Sequence, residues 1–226
     1  MPRVSDPVDR RAELERHADD WRGCQKCALA ATRTQVVVGT GDPDADLMFV
    51  GEAPGFHEDK QGVPFVGQAG KLLDNLLGEI GLSRPQVYIA NVLKCRPPGN
   101  RDPLPDEIAA CEGHLFKQVE LIRPRVICTL GNFATKLLTG RPHGITRVRG
   151  QAQPHRIAGV ELSIYPIFHP AAALYTPAML QTLREDFSRL PGLLAQRPAA
   201  EPPLAAVVAA PPVAEPEPEF AQLGLF

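Results

Sequence analysis

Apolar and polar positions divide the chain into short apolar runs separated by longer amphipathic segments. Four apolar runs have the length of buried strands and lie at residues 46–50, 87–94, 125–130 and 162–168. Helices are predicted in the intervening and flanking segments, at residues 8–22, 72–80, 106–122, 131–138 and 177–194, and apolar residues share one helical face in 72–80 and 106–122. Strands that alternate with helices predict an α/β fold, with a mostly parallel sheet that is covered on both faces and joined by right-handed crossovers.

Three segments rich in glycine, proline or polar residues lie where predicted strands end, at residues 51–59, 91–101 and 169–173. Ligands of parallel α/β sheets bind beyond the carboxyl ends of the strands, so we expect these segments to form one pocket. The first opens a strand–loop–helix junction, and residues 51–67 contain four glycines, two prolines and several carboxylates. This composition permits close backbone approach to a ligand, but it also fits an ordinary surface loop.

The composition changes after residue 196. Residues 197–226 contain one Arg and four Glu, with seven prolines between positions 198 and 218, so we interpret residues 197–221 as a disordered Ala/Pro/Glu linker. The whole chain has a net charge of −2 and this segment contributes −3, so the predicted domain, residues 1–196, carries +1. Global charge therefore neither supports nor excludes a nucleic-acid partner.

The chain has five cysteines, no apolar run of membrane-spanning length and no signal-peptide pattern at its start. We therefore expect a cytoplasmic protein without membrane contact, whose cysteines serve metal binding, catalysis or packing. Cys24 and Cys27 form a CxxC pair, which Cys95 and Cys111 can complete to a four-thiolate metal site. Composition does not distinguish zinc from iron and sulfur. Cys111 lies on an apolar helix face, so simple burial is the alternative to its role as a metal ligand. Cys128 lies in an apolar strand, and we predict that it is only buried.

Four motifs extend over the candidate pocket and the downstream cysteines: GEAPGxxED at 51–59, GxPFVGxAGxLL at 62–73, NxxKCRPPxNRxPxPxE at 91–107 and HPAAxL at 169–174. Together with the cysteine spacing, they closely resemble the family 4 uracil-DNA glycosylases, the iron–sulfur branch of that superfamily, over about residues 20–190. The resemblance implies a three-layer α/β/α sandwich around a four-stranded, mostly parallel sheet. It also implies a 4Fe-4S cluster held by Cys24, Cys27, Cys95 and Cys111.

The activity implied by the resemblance is that of a monofunctional uracil-DNA glycosylase. Such an enzyme flips uracil out of DNA, hydrolyses its N-glycosidic bond and leaves an abasic site for base excision repair. The uracil pocket would consist of Gly51, Glu52, Ala53, Gly55, Phe65, Asn91 and His169. A relative that links covalently to its uracil site carries an extra Lys-Arg-Arg-Ile-His loop, which is absent here, so we do not expect covalent trapping.

The residue types in this set suit the reaction, which requires the base to leave the stack. His169, followed by Pro170, can donate a hydrogen bond to uracil O2 as negative charge develops there. The Asn91 amide can accept a hydrogen bond from uracil N3–H and donate one to uracil O4. Cytosine does not offer this pattern, so the amide selects uracil over cytosine. Phe65 resembles the residue that stacks on the uracil ring. The structural alternatives are a capping or core histidine, an asparagine that bonds backbone groups at a bulge, and a core phenylalanine.

Two carboxylates are candidates for positioning the attacking water. The best-known family of the superfamily uses an Asp where this sequence has Ala53. We therefore assign the water to Glu58 and keep Glu52 as the second candidate; Glu58 has the alternative role of crowding the C5 position and excluding thymine. General-base catalysis is typically worth a factor of about 10²–10⁴.

Local cations provide the predicted DNA contacts, namely Lys94, Arg96, Arg101, Arg147 and Arg149. Loop charges are often only solvated, which is the alternative for each of them. The small residues 171–173, followed by Leu174 and Tyr175, resemble a wedge that fills the gap left by a flipped base. A loop that packs on the core is the alternative for this segment.

The last five residues resemble the peptide by which bacterial repair and replication proteins bind the sliding clamp, through Gln222, Leu223, Leu225 and Phe226. Apolar side chains at the end of a soluble tether require a pocket, either on the clamp or on their own domain. We expect a monomer. Two other function classes stay open, a non-catalytic iron–sulfur DNA-binding adaptor and a zinc-dependent nucleotide hydrolase; Asn91 and His169 argue against the adaptor.

Overall fold

The computed structural model of the protein describes residues 7–174 and 176–196. In these ranges one sheet is formed by β1 (Thr40–Gly41), β2 (Leu47–Gly51), β3 (Tyr88–Asn91), β4 (Val126–Leu130), β5 (Gln153–Ile157) and β6 (Val160–Ile167). The strand order is β1-β3-β2-β4-β6-β5. The four central strands are parallel, and β1 and β5 pair antiparallel with their neighbours at the edges. The mostly parallel sheet is confirmed, with one antiparallel strand added at each edge.

Helices fill the connections between the strands. The α-helices of the described ranges are α1 (Pro7–Arg22), α2 (Phe56–Gln61), α3 (Gln68–Glu79), α4 (Pro105–Ile122), α5 (Asn132–Thr139), α6 (Ile145–Val148), α7 (Pro177–Ser188) and α8 (Leu190–Ala195). Short 3-10 helices lie at Ala28–Ala31, Arg84–Gln86, Pro98–Asn100 and Pro170–Ala173. The longer helices agree with the predicted ones within a few residues at each end.

Alternate side chains of the central strands enter two separate apolar cores. In β2, Met48 and Val50 belong to the core that contains residues of α1, α4 and α5, whereas Leu47 and Phe49 belong to the core with α3, α7 and α8. Every residue of β2, β3 and β4 is buried, as expected of parallel strands covered on both faces. The predicted three-layer arrangement is therefore confirmed.

The structure differs from the predicted elements in several places. The helix predicted over residues 177–194 is two helices, α7 and α8, which meet at Arg189. Pro191 has no N–H for the continuing ladder and is favoured in the first turn of a new helix, which explains the break. The helix α2 lies inside the segment expected to be a loop, and the polar elements α6 and β5 were not predicted.

Some expectations concern parts of the chain outside the described residues. These are the linker at 197–221, the terminal peptide at 222–226 and Tyr175. They stay predictions. No helix within the described ranges is long and apolar enough to cross a membrane.

The segments expected to form a pocket start at the carboxyl ends of the central strands. Gly51, the last residue of β2, is in register with Asn91, the last residue of β3. The pairing continues past the strand ends, where the Leu93 N–H donates to the Glu52 carbonyl at 2.9 Å. The strand β6, which ends at Ile167, lies on the side of β4 opposite to β2. Both β2 and β6 run parallel to β4. The loops that follow β2, β3 and β6 therefore leave the sheet on the same side.

Candidate active site

A cleft of about 360 Å³ lies where these loops meet, a volume within the range of small-molecule sites. Its lining includes most of the predicted pocket, namely Glu52, Ala53, Gly55, Glu58, Phe65, Asn91 and His169. The remaining lining residues are Pro54, Ala69, Pro97, Asn100, Arg101 and Ala171. Gly51, the other predicted member, does not line the cleft and instead supports its wall. The residues selected from sequence are thus brought together.

Gly51 permits the close approach of two cleft residues. A Cβ at this position would lie 2.4 Å from Asn91 Oδ1 and 2.7 Å from Phe65 Cζ, both shorter than any normal contact. Only glycine leaves the space in which the Asn91 amide and the Phe65 ring meet. Gly51 is therefore a spacing residue of the cleft.

Phe65 forms one wall of the cleft in a strained backbone conformation. Its φ is 55°, in the left-handed region that non-glycine residues seldom adopt. Its carbonyl accepts a hydrogen bond from Arg84, which also donates to the Pro64 carbonyl at 3.0 Å and pairs with Asp74. Gly70 leaves room for that carbonyl, since a Cβ there would lie 1.7 Å from it. Strain maintained by several partners is typical of a functional position.

His169 has a neutral ring with a defined donor. Its Nδ1 accepts a hydrogen bond from the backbone N–H of Ala171 at 3.1 Å, so the proton of the neutral ring is on Nε2. Burial lowers the pKa of His169 to about 4, and the charge of Glu58 offsets this only in part. The ring stacks against Phe65 with centroids 5.5 Å apart. At pH 7 the cleft therefore contains a neutral Nε2–H donor beside an aromatic wall.

Asn91 is attached to a buried polar network. Only 2% of Asn91 is exposed, and its backbone carbonyl accepts from Lys94 Nζ at 2.8 Å. The same ammonium donates to Gln118 Oε1 at 2.6 Å, and Gln118 Nε2 donates to the Tyr88 hydroxyl at 3.0 Å. Burial lowers the pKa of Lys94 to about 8, with a partial offset from Cys111. The network fixes the backbone from which the Asn91 side chain joins the cleft wall.

Glu58 is fixed by the turn that follows α2. Its Oε1 accepts from the backbone N–H groups of Val66 at 2.9 Å and Gly67 at 3.0 Å. Gly55 leaves space for the other oxygen, because a Cβ there would lie 2.7 Å from Oε2. One carboxylate oxygen is therefore anchored, and the other lies on the side of Gly55, a cleft-lining residue.

Glu52 is less constrained than Glu58. Among the described residues its carboxylate has no hydrogen-bond partner. Burial raises the pKa of Glu52, and the nearby charge of Asp102 raises it further. Because Glu52 lacks the anchoring hydrogen bonds that fix Glu58, it is the weaker of the two candidates for positioning water.

The four predicted ligand cysteines lie around one small cavity, which is lined by Cys24, Cys27, Cys95 and Cys111. Two sulfurs accept weak hydrogen bonds, Cys95 Sγ from Arg33 at 3.6 Å and Cys111 Sγ from the Lys94 backbone N–H at 3.3 Å. Cys128 is fully buried in β4 and does not line the cavity, in agreement with its predicted packing role. The folding of α1, the loop after β3 and α4 brings the other four together.

Burial disfavours ionisation of the thiols in this cavity. Burial raises the pKa of Cys95 to about 11 and also raises that of Cys111, and neighbouring thiols add to both shifts. A bound metal centre offsets such shifts, because coordination stabilises the thiolate. Among the described residues, no group of three or more Cys, His, Asp or Glu side chains is arranged to hold a single metal ion.

Three of the five predicted DNA-contact cations are bound to buried groups of the protein. Lys94 is only 1% exposed and belongs to the network at Asn91, so it is not at the surface and the assignment to phosphate is corrected. Arg101 forms two bonds to the buried Glu107, which lower the pKa of that carboxyl. Arg149 is held in the same way by a buried carboxylate of α7, at 3.0 and 2.9 Å.

The other predicted contacts lie at the surface. Arg96 is partly exposed and donates to Asn100 Oδ1 at 2.7 Å, and Arg147 is exposed on α6. Leu174 is 38% exposed at the end of the loop after His169. These positions are accessible to a ligand as large as DNA.

Sequence reasoning missed several contributors. Asn100 lines the cleft and has a left-handed φ of 55°, and its place inside the third motif was an available signal. Arg33, which donates to Cys95, lies in a segment without periodicity and gave no signal. His114 Nε2 lies 3.7 Å from Cys24 Sγ, on the helix face where only Cys111 had been considered.

Residues 38–190 match the family model described as the uracil DNA glycosylase superfamily, and the chain belongs to that superfamily. Within it, the chain is 48% identical to a protein of Sulfurisphaera tokodaii over 78% of its own length and 83% of the relative. It is 47% identical to a protein of Saccharolobus solfataricus, over 82% of its own length and 88% of the relative. It is 49% identical to a protein of Thermotoga maritima, over 67% of its own length and 78% of the relative. All three relatives are named Type-4 uracil-DNA glycosylase. The resemblance found in the motifs is confirmed.

Proposed function

We propose that this protein is a monofunctional uracil-DNA glycosylase, a hydrolase that cleaves the N-glycosidic bond of uracil in DNA and leaves an abasic site for base excision repair. One observation carries the proposal: an aromatic wall, a buried amide and a neutral imidazole donor line the same cleft, at Phe65, Asn91 and His169. The names of the relatives support the same activity.

Recognition begins with extrusion of the uracil from the stack, because its glycosidic carbon is inaccessible inside the duplex. The extruded ring stacks on Phe65. The Asn91 amide accepts from N3–H and donates to O4, a pattern that cytosine does not match. Burial of Asn91 makes this selection strong, because a mismatched base would leave buried polar groups unpaired.

Bond cleavage makes uracil an anion and the sugar a cation. As the bond between N1 and C1′ breaks, the electron pair moves into the uracil ring and charge develops at O2. The Nε2–H of His169 donates to that oxygen, a contact worth about 3 kcal/mol in well-studied sites. A water oxygen then bonds to C1′, and the displaced uracil anion is protonated from solvent.

Glu58 positions that water and accepts its proton. The two backbone N–H groups that bind Oε1 hold the carboxylate in place. Oε2 then faces the water, in the role that another family of the superfamily gives to an Asp at the position of Ala53. Glu52, with no anchor among the described residues, is the second candidate.

Cys24, Cys27, Cys95 and Cys111 would hold a 4Fe-4S cluster. Such a cluster supplies four covalent attachments that join separate segments, with no redox step in glycosidic hydrolysis. The shared cavity, which these four cysteines line and Cys128 does not, supports this assignment. Arg33 and the Lys94 N–H donate to two of the sulfurs, and such bonds stabilise bound thiolates.

The DNA surface would include Arg96, Arg147 and the partly exposed Arg101 and Arg149, which pair with phosphates in a salt-dependent manner. Leu174 would act as the wedge in the base stack. Lys94 is left out because it is buried.

The C-terminal residues would add a partner, with residues 197–221 as a linker and Gln222, Leu223, Leu225 and Phe226 as a peptide for the bacterial sliding clamp. Deletion of residues 222–226 should abolish clamp binding and leave activity on free oligonucleotides unchanged. Unchanged clamp affinity of the truncated protein would refute this assignment. A cytoplasmic location and a monomeric state stay predictions.

The activity is tested with an oligonucleotide that contains one uracil, followed by alkaline strand cleavage. The intact protein should cleave at uracil, and His169→Ala should reduce the rate by about 10²–10³ because one donor to the developing anion is lost. Asn91→Asp should gain cytosine release. An iron-containing protein that binds DNA without cleavage would instead be an adaptor, and a zinc-containing one that hydrolyses nucleotides would be the other alternative class.

A further inference from the structure

One large aromatic side chain near the cleft lies at the surface, where its ring contacts the neighbouring His57 ring at 5.5 Å between centroids. Phe56, the first residue of α2, is 47% exposed, although burial of an aromatic ring is strongly favourable. Its preceding neighbour, Gly55, lines the cleft, and so does Glu58 on the same short helix. The ring therefore lies in the surface next to the cleft and outside both apolar cores.

Two cations lie over this ring. Lys60 Nζ is 4.4 Å from the ring centroid and Arg96 Cζ is 5.3 Å from it. Lys60 is one helical turn after Phe56, whereas Arg96 belongs to the loop after β3, and its neighbour Pro97 lines the cleft. The aromatic and both charges are thus assembled from two separate segments at the cleft margin.

The acidic residues of α2 form no salt bridge with these two cations in the described part of the chain. Glu58 Oε1 is bound to the N–H groups of Val66 and Gly67, and Asp59 is buried with Oδ1 bound to the Thr34 N–H. The surface of this helix consequently combines an exposed ring with positive charge. That pairing is typical of proteins that bind single-stranded nucleic acid, where bases stack on aromatic rings and cations track the phosphates.

We propose that Phe56, Lys60 and Arg96 form a platform on which the base next to the uracil stacks, with its phosphate between the two cations. The occupant is the strand that carries the uracil, so the inference rests on the proposed function and adds a strand preference to it. In a duplex the neighbouring base is already stacked and paired. In a single strand it lacks those partners, so the platform contributes most to single-stranded substrates.

The kinetic test compares Phe56→Ala with the intact protein on single- and double-stranded oligonucleotides that contain one uracil. Stacking on an aromatic ring is lost, so kcat/KM for the single strand should fall about ten-fold or more, mainly through KM, and by about two-fold for the duplex. Phe56→Leu keeps apolar area without an aromatic face and should behave like Phe56→Ala, whereas Phe56→Tyr should restore activity. Val63→Ala is the matched control, since Val63 is also an exposed apolar residue, at 37%, beyond the same helix.

A second measurement does not depend on catalysis. Phe56→Trp adds an exposed indole to a chain whose own tryptophan, Trp21, is 5% exposed. A single-stranded oligonucleotide without uracil should quench the new emission, and Lys60→Gln should weaken that binding and reduce its salt dependence. Absence of quenching, or full activity of Phe56→Ala or Phe56→Leu on single strands, would overturn the platform. If the intact protein releases no uracil but the quenching occurs, the proposed function fails and the platform stands as a nucleic-acid site.

Discussion

The uracil cleft and the cysteine cavity share one stretch of chain, from Asn91 to Cys111, but their side chains are held differently. In the cleft, protein groups fix the residues assigned to chemistry, two backbone N–H groups for Glu58 and one for His169. In the cavity, burial and neighbouring thiols disfavour the thiolate state of Cys95. The difference teaches that the cleft residues are preorganised by the protein itself, whereas the cysteines of the cavity are brought together by the fold and held mainly by burial.

The largest effect is expected when the cavity is broken. Cys95→Ala removes one of four proposed ligands, so the protein should lose its iron together with the folding free energy that is coupled to cluster binding. Iron content and the midpoint of thermal unfolding measure the two losses. Cys128→Ala is the matched control, because this thiol is buried outside the cavity, and it should keep its iron and lose about 1 kcal/mol of stability. Equal iron loss in both variants would contradict the ligand assignment.

The next effect tests whether Glu58, held by two backbone N–H groups, accepts the proton of the attacking water. Glu58→Gln keeps an oxygen that accepts from Val66 and Gly67 but removes the proton acceptor, so kcat should fall by about 10² or more without a change in stability. Glu52→Gln should reduce kcat by less than about ten-fold. Single-turnover rates on a uracil oligonucleotide give both values. A larger loss in the second variant would transfer the role to Glu52.

A smaller change tests the spacing of the cleft. Gly51→Ala places a methyl group against Asn91 Oδ1 and the Phe65 ring, and their displacement should lower kcat/KM by about 10- to 100-fold. Gly78→Ala, in α3, is the control, since no atom lies within 4 Å of the added Cβ. That variant should gain about 0.5–1 kcal/mol of stability and keep its activity. Full activity of Gly51→Ala would show that the close approach is dispensable.

A further prediction concerns the pH dependence of stability. The pKa of His169 is about 4 in the folded protein and ordinarily 6.5, so between these values the unfolded chain binds a proton that the folded protein does not. The free energy of unfolding should therefore decrease as pH falls from about 6.5 to about 4, by at most about 1.4 kcal/mol per unit from this group. His169→Asn should remove that part of the slope in urea titrations at several pH values. An identical slope in the variant would contradict the burial-lowered pKa.

The sequence predicted the central sheet well because its strands are covered on both faces and read as continuous apolar runs. The edge strands gave no such signal: β1 has two residues, and β5 is polar with alternating exposure. Long motifs with several glycines predicted the position of the cleft, because close backbone approach requires glycine at particular positions. The strained φ of Phe65 could not be predicted from the sequence, because it depends on tertiary contacts with Arg84 and Gly70.

Charged residues were the least predictable part. Lys94 stands between Leu93 and Cys95 in an apolar run, and its burial depends on Gln118, which is 24 positions further along the chain. Arg149 is likewise bound by Asp186, 37 positions away. A local pattern reports that a side chain is charged, whereas its partner is determined by tertiary folding.

The short connection between the two regions has a physiological consequence. Asn91, which reads the base in our proposal, and Cys95, a proposed cluster ligand, are joined by only three residues, and Lys94 bonds to the Asn91 carbonyl from within them. Release of the cluster would loosen the segment that carries the base-reading amide. If the four cysteines hold a cluster as proposed, cells short of iron, or exposed to oxidants that attack iron–sulfur centres, would then accumulate uracil in their genomes.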